Sequence, residues 1–460
     1  MSVTLADGVL LRNIGADKWV LNENGQSKAF RMPQSKMSVV LSQLSSGGCR
    51  MDELVKTLDE PPGPLSVAEQ MSKLWRAGCL MQTLNWQGKT VAVLRARGET
   101  PLLPATLDVK DRVILTEHGC IRRKGTHLIV EALECGAEVE FLAAEHGAVA
   151  TGLIEGATPQ QLAKRYSLPE AVTTGLLAWL IAIGVASFEH RKETHQASQQ
   201  WSFADRLLHA RSRSERQIGG YGATFLQKEG HLPFPPALRP ARNSPRILLA
   251  RPDMAIIARQ DPPFTTVLEE RCSVREYDAM PITALELGEF LYRTARIRAT
   301  YTVGHVEHVN RPFPSAGGLH ELEFYLIVNH CAGISPALYR YDGAAHELEC
   351  VTAPSADTKR LLVDAAGSAG IGTEPQILVI LAARFSRLNS KYESIAYSLA
   401  LKNVGVVYQT MYLVATAMGL GGCALGGGSS IRFCNAAETD YWEESSVGEF
   451  MLGKRRASKE

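Results

Sequence analysis

Five prolines fall within the fourteen residues Leu232–Pro245 (LPFPPALRPARNSP), and no regular helix or strand can run through them. Proline fixes φ and lacks the backbone N–H that a helix or a strand ladder needs. The segment is therefore extended and suited to wrapping over another surface, and it separates two stretches of different pattern. At 460 residues the chain is long enough for two or three cores. Its 49 basic and 48 acidic side chains nearly cancel, so no bulk attraction to nucleic acid or anionic lipid is expected.

Before the prolines, two segments look alike. One begins Asp7-Gly-Val-Leu-Leu11 and the other Asp111-Arg-Val-Ile-Leu115. Each continues with short strand-like runs broken by turns (Asn22–Gly25; Glu117–Gly119) and then a helix pair. The pairs are Met51–Leu58 with Val67–Gly78, and Pro159–Tyr166 with Pro169–Gly184. Both second helices end in glycine, which enters the left-handed C-cap region without strain. A strand-like run follows each, Cys79–Leu84 and Val185–Glu189. The offsets, 104 and 106 residues, agree closely, so the pattern predicts a duplicated winged-helix-like unit over residues 1–95 and 105–193. Residues 1–95 carry 11 basic and 8 acidic side chains, and residues 96–195 carry 10 and 13. A DNA reader needs a cationic face, so peptide binding along a strand edge or a structural role is preferred to DNA binding. Arg122-Arg-Lys124 reads as a local patch or as a solvated turn.

The longest uncharged apolar stretch, Gly175–Ala186, is shorter than the about 20 residues that span a bilayer, so it reads as a buried helix. No export signal is apparent at the N-terminus. The nine cysteines are scattered without a CxxC. Reduced thiols in a cytoplasm are expected, and a structural zinc is not.

Residues 194–258 read as a linker and extended segment, with a short helix at Trp201–Leu208. From there residues 259–460 alternate helices and strands. Thr265–Glu270 closes a short helix, and Thr283 with Glu286 opens a longer one as a capping box. Phe324–Val328 and Ile377–Leu381 suit buried strands, and Ser394–Met418 a long helix. The expected class is α+β.

Four groups could carry chemistry. Arg271, Ser273 and Arg275 share one side of an extended segment, either as a three-pronged site for a phosphate or as a surface turn with solvated arginines. Arg311–His320 (RPFPSAGGLH) stiffens with proline and opens with glycine, as a loop that meets a flat ligand or merely precedes a strand. Lys391 and Tyr392 stand side by side before the long helix, as a proton-transfer pair or a surface pair. Gly419–Gly428 (GLGGCALGGG) permits close backbone contact with a ring edge, or serves as a plain helix C-cap.

In this order these motifs resemble the nitroreductase superfamily, and within it the SagB-type dehydrogenases, azoline oxidases of ribosomal peptide biosynthesis. His209–Arg213, Pro336–Tyr341, and Tyr392-Glu393 with Tyr397 are also similar to that branch. The duplicated N-terminal part resembles the larger azoline oxidases of cyanobactin pathways, whose extra domains are similar to peptide-recognition winged helices. The chain departs from the branch at Ser398, where many relatives carry arginine. It departs again at Lys402–Val406, where many carry Glu-Ala-Gly-His.

The resemblance implies FMN at a homodimer interface. Arg271, Ser273 and Arg275 would hold the phosphate and ribityl region, with Lys454 or Arg456 reaching the phosphate. Pro314, Ser315, Ala316 and Gly317 would approach the isoalloxazine, partly from a second subunit. Gly426 and Gly427 would line it, and Gln409 is a further expected cofactor contact. Lys391 and Tyr392 would be catalytic: a thiazoline or oxazoline in a peptide loses its Cα proton to one of them and a hydride to the flavin, which O2 reoxidises. The N-terminal repeats would bind a leader peptide, a cyclodehydratase partner, or nothing. The alternatives are a broad NAD(P)H-dependent nitroreductase, or a winged-helix binding protein with a flavin sensor domain.

Overall fold

A computed structural model describes residues 1–15, 18–23, 26–31, 36–58, 67–96, 106–190, 197, 200–214, 220–225 and 234–456. The end of the Asn22–Gly25 turn and most of the 194–200 linker lie outside these. The chain divides into two compact units, Met1–Tyr221 and Gly222–Glu460.

In the first unit the same element order occurs twice. Strand Ser2–Leu5 is followed by a three-stranded meander (Val9–Gly15, Lys18–Glu23, Gln26–Arg31), helices Lys36–Ser45, Met51–Leu58 and Val67–Arg76, and strand Leu80–Trp86. Strand Val113–Leu115 is followed by Gly119–Lys124, His127–Ala132 and Ala137–Phe141, helices Ala144–Thr151, Pro159–Tyr166 and Glu170–Ala182, and strand Ala186–Phe188. A local signal explains the start of Pro159–Tyr166. Thr158 and Gln161 form a reciprocal capping box, with Pro159 at the first helical position. Among the described residues no helix is long and apolar enough to cross a membrane.

The two halves share one hydrophobic core. Strand Lys89–Ala96 pairs with Ala137–Phe141 and so joins strands of both halves into one seven-stranded sheet. The apolar helix Glu170–Ala182 packs on Leu80–Trp86, and Trp179 Nε1 donates to Gln82 Oε1 at 2.9 Å with both residues wholly buried. Arg122, in the edge strand Gly119–Lys124, pairs with Glu131 (2.6 Å) and Glu138 (2.9 Å), which neutralises part of the basic patch.

The second unit is a seven-stranded antiparallel sheet. Its order is Arg246–Leu248, Glu347–Thr352, Ala337–Asp342, Leu322–Val328, Ile377–Arg384, Glu444–Lys454, Leu420–Leu425. Central strands are apolar on both faces because helices cover both. Phe324, Leu326 and Val379 pack with the helices Ala284–Ala295 and Ala396–Ala417. Tyr325, Ile327 and Ile380 pack with Ala356–Ala369 and Ser430–Ala437. The capping box at Thr283 and Glu286 is present.

This unit starts well before residue 259, because the stretch read as linker contributes structure. Arg246–Leu248 is a sheet strand, Met254–Gln260 is a helix, and the described part of the proline segment lies on the unit. Arg387 donates to Pro235 O (2.6 Å), Arg384 to Pro236 O (3.0 Å) and Arg340 to Pro240 O (3.1 Å). A proline-rich segment is short of donors, so guanidiniums are fitting partners for its carbonyls.

In Trp179→Phe, Gln82 loses its buried donor, and we expect a stability loss of about 1–3 kcal/mol in urea unfolding. Equal stability would show that the bond does not hold the two halves together.

Candidate functional site

The turn Ala316–Gly318 forms where two glycines enter the left-handed region, Gly317 at φ 58° and Gly318 at φ 68°. A Cβ on Gly317 would lie 2.5 Å from Tyr392 Oη and 2.6 Å from Lys391 Nζ. The Pro-Ser-Ala-Gly-Gly loop and the Lys-Tyr pair, 74 residues apart from Gly317 to Lys391, thus meet at one point.

Buried polar groups hold this loop. Asn403, in the long central helix Ala396–Ala417, accepts from Ala316 N (3.1 Å) and donates to Ser315 Oγ (3.2 Å) and Glu321 Oε1 (2.8 Å). Ser315 Oγ accepts from His320 N at 3.0 Å and donates to Glu321 Oε2 at 3.1 Å. Burial pushes the Glu321 carboxyl up, and the Asn403 and Ser315 bonds oppose that. His308 Nδ1 donates to Gly318 O at 3.0 Å, with the Tyr301 ring stacked on it. The wholly buried Arg387 donates from Nη2 to Leu319 O (2.7 Å) and Glu307 O (3.0 Å). Burial, followed by the charge of Arg384, brings its pKa down to about 10. His320 packs edge-on to Phe313, and burial together with Arg311 and Arg387 pushes it down to about 3. It is a neutral core histidine.

On the other side, Tyr392–Glu393 pairs with a two-residue strand, Gly222–Ala223. Phe225 N donates to Lys391 O at 3.1 Å, and the Lys391 ammonium lies 5.5 Å from the Phe225 ring centre and 5.4 Å from that of Tyr392. Burial raises the Tyr392 phenol.

The Arg271–Arg275 segment follows helix Phe264–Glu270 and is gathered by Tyr412 of the central helix. The Arg271 guanidinium stands 5.2 Å from the Tyr412 ring centre, and Ser273 Oγ lies 2.8 Å from Tyr412 Oη. Tyr412 Oη also accepts from Ala424 N at 2.8 Å. Val274 N donates to Gly422 O, and Asp278 N to Lys454 O, both at 2.9 Å, so the segment runs beside the chain end. Lys454 Nζ pairs with Glu286 at 3.1 Å and Arg456 with Glu276 at 3.6 Å. Among the described residues Arg271 and Arg275 pair with no carboxylate. Gln409 is exposed on the central helix.

The glycine turn after strand Leu420–Leu425 is open. A Cβ on Gly426 would meet nothing within 4 Å, and one on Gly427 only Ser368 Oγ at 3.8 Å. Gly428 lies against the Glu449 carboxyl. Tyr408 Oη braces the turn, accepting from Glu449 N at 2.7 Å and donating to Leu425 O at 3.4 Å.

A nitroreductase-family model matches residues 268–454, which include all three clusters. MJ1384 of Methanocaldococcus jannaschii, named for the nitroreductases, is 31% identical over 175 residues, 38% of this chain and 81% of that protein. The chain belongs to the nitroreductase family. It is thus an oxidoreductase of an FMN-dependent family, and its cofactor is FMN. Residues before 268 lie outside the matched region. Solved structures align loosely. A nitroreductase-type protein from Ralstonia eutropha is 21% identical with TM-score 0.38, covering 52% of this chain and 100% of that one. A chain of the E. coli microcin synthetase McbBCD complex, solved with truncated pro-MccB17 bound, is 16% identical with TM-score 0.36, covering 58% and 100%. An FMN complex from Exiguobacterium sibiricum is 14% identical with TM-score 0.30, covering 42% and 89%.

The residues present fit this cofactor. Two guanidiniums that pair with no carboxylate among the described residues, and a hydroxyl, suit a phosphate, and the open glycine turn leaves room for a flat ring.

Asn403, Glu321, Tyr408, Tyr412 and Phe225 escaped the sequence reading. The helix residues look like ordinary core or surface positions at helical spacing, and nothing near Phe225 signals a partner 166 residues away at Lys391.

Burial lifts Glu449 from 4.5 to about 7. A raised carboxyl contributes stability that is complete below its unfolded value and lost as pH rises through the folded value. Urea unfolding is therefore expected to show this contribution fall by about 3 kcal/mol between pH 4.5 and 8. Glu449→Gln should flatten that slope; an unchanged slope would remove Glu449 as its source.

Proposed function

We propose that the chain is an FMN-dependent azoline oxidase that converts a thiazoline or oxazoline ring in a peptide to the thiazole or oxazole. The observation that carries this reading is the convergence of Lys391 Nζ and Tyr392 Oη on Gly317. A base and a phenol at one point of a glycine loop suit removal of a proton from a carbon held there. The resemblance of the ordered motifs to the SagB-type branch supports the same chemistry.

Aromatisation removes two hydrogens from the ring. Lys391, as the neutral amine, takes the Cα proton, with Tyr392 as donor or relay, and the nearby Phe225 ring steadies the ammonium so formed by a cation–π contact. When bound, FMN supplies the acceptor for the electron pair and the second hydrogen, and O2 restores it. Arg271, Ser273 and Arg275 bind the phosphate, with Lys454 and Arg456 adding positive charge beside them. Pro314, Ser315, Ala316 and Gly317 hold the ring side, partly toward the active site of a second subunit, and Gly426, Gly427 and Gln409 complete the cofactor contacts. The N-terminal halves act as winged-helix-like units that hold a leader peptide or a cyclodehydratase partner.

Purified protein should be yellow and should convert a thiazoline peptide with loss of two mass units. Lys391→Ala is expected to keep its flavin and lose at least a hundredfold in rate. Full activity in that variant would remove the lysine from the mechanism. Flavin bleaching by NADPH without azoline turnover would point instead to an NAD(P)H-fed nitroreductase. Arg275→Ala should weaken FMN retention by about tenfold or more, read by flavin fluorescence on dilution; unaltered retention would place the phosphate elsewhere.

A further inference from the structure

A cavity of about 230 Å3 opens in the second unit between the short helix Phe385–Asn389, the start of the central helix and the turn before strand Glu444–Lys454. Its walls include Phe385, Tyr397, Tyr441 and Trp442, with Leu388 and Ala396 below. Asn389, Ser430, Ser445 and Ser446 supply polar atoms, and among the described residues no Lys, Arg, Asp or Glu lines it.

The exposed aromatics are held in place. Trp442 is 81% exposed and Tyr441 45%. Asp440 Oδ1 accepts from Trp442 N (2.8 Å) and Glu443 N (3.2 Å), and Glu443 O accepts from Phe385 N (3.1 Å). The Trp442 and Tyr441 rings meet edge-on at 5.1 Å, and the Phe385 and Tyr397 rings are tilted 35° to one another at 6.2 Å. A turn whose backbone is already bonded leaves less to order when a ligand arrives.

We infer that this cavity binds a neutral aromatic side chain of the substrate, next to the reacting ring. Its size suits one ring with its linking atoms, since an apolar cavity of about 150 Å3 takes benzene. Aromatic walls meet an inserted ring in edge and face geometries that an aliphatic group cannot use. A charged side chain would lose water and find no counter-ion there. Its position couples it to the chemistry. Asn389 lies two residues before Lys391, whose N–H bonds to Leu388 O at 3.0 Å, and Ser430 lies two residues after Gly428. The assignment of the ring to a peptide rests on the azoline-oxidase reading; binding of the ring does not.

The test therefore has two arms on the FMN-loaded full chain. In the first, calorimetry compares N-acetyl-phenylalaninamide, N-acetyl-leucinamide and N-acetyl-lysinamide, with no turnover. The phenyl probe should bind at least fivefold tighter than the leucyl probe, and the lysyl probe should not bind. Trp442→Ala and Tyr397→Ala, both at exposed positions, should each weaken the phenyl probe about tenfold, and Trp442→Phe should restore it to within threefold. Equal binding of phenyl and leucyl probes, or no effect of Trp442→Ala, overturns the pocket. So does a halved sedimentation mass in Trp442→Ala, which would make this face a contact between copies. In the second arm, thiazoline peptides carry Phe or Lys beside the ring. Probe binding without oxidation of either peptide overturns the azoline reading alone, and equal oxidation of both with no probe binding overturns the pocket alone.

Discussion

Everything in the second unit depends on the central helix Ala396–Ala417, which is buried against the sheet while three of its polar side chains hold loops. Val404, Val407 and Met411 enter the core. Asn403 takes the Ser315–Glu321 loop, Tyr408 the glycine turn, and Tyr412 the Arg271–Ser273 segment. From Asn403 to Tyr412 the helix rises about 13 Å. One rigid element thus sets the separation between the loop that meets Lys391 and the segment that carries the arginines. Loops without regular hydrogen bonds hold a fixed geometry only when their polar groups find partners elsewhere; Asn403 and Tyr408 bond backbone groups, and Tyr412 bonds the Ser273 hydroxyl.

A complementary constraint operates on the proline segment. It is rich in carbonyl acceptors and poor in donors, whereas arginine carries five donors and no acceptor. Arg384 and Arg340 therefore join the segment to the sheet, and Arg387 joins it to the helix Phe385–Asn389, without a ladder. Arg387 also binds Leu319 O, at the end of the glycine loop. Burying this cation is costly, as its lowered pKa shows, and its several carbonyl bonds offset the cost. The segment that looked like a divider in the sequence is thus part of the scaffold for the site.

Much of the fold was legible because its signals are local. The capping box at Thr283 marks a helix start through bonds within three residues. The runs Phe324–Val328 and Ile377–Leu381 announce strands covered on both faces. Strands such as Arg246–Leu248 were not legible, since partner strands rather than their own composition define them. The candidate site followed the same division. Arg271, Ser273, Lys391, Tyr392 and the glycines stand out by residue type, but Asn403 and Tyr412 look like any residue of an apolar helix.

Residue order alone marked several of the helices and the set of chemically suggestive motifs, because capping, periodicity and glycine spacing act over a few residues. Only the tertiary structure decided which motifs meet. Gly317 reaches Lys391 and Tyr392 because the central helix fixes one loop and the Gly222–Ala223 strand covers the other. Lys454 lies beside Glu286 because the last long strand ends there. Such pairings bridge tens to hundreds of residues, and their geometry comes from the shared core rather than from any local run of the chain.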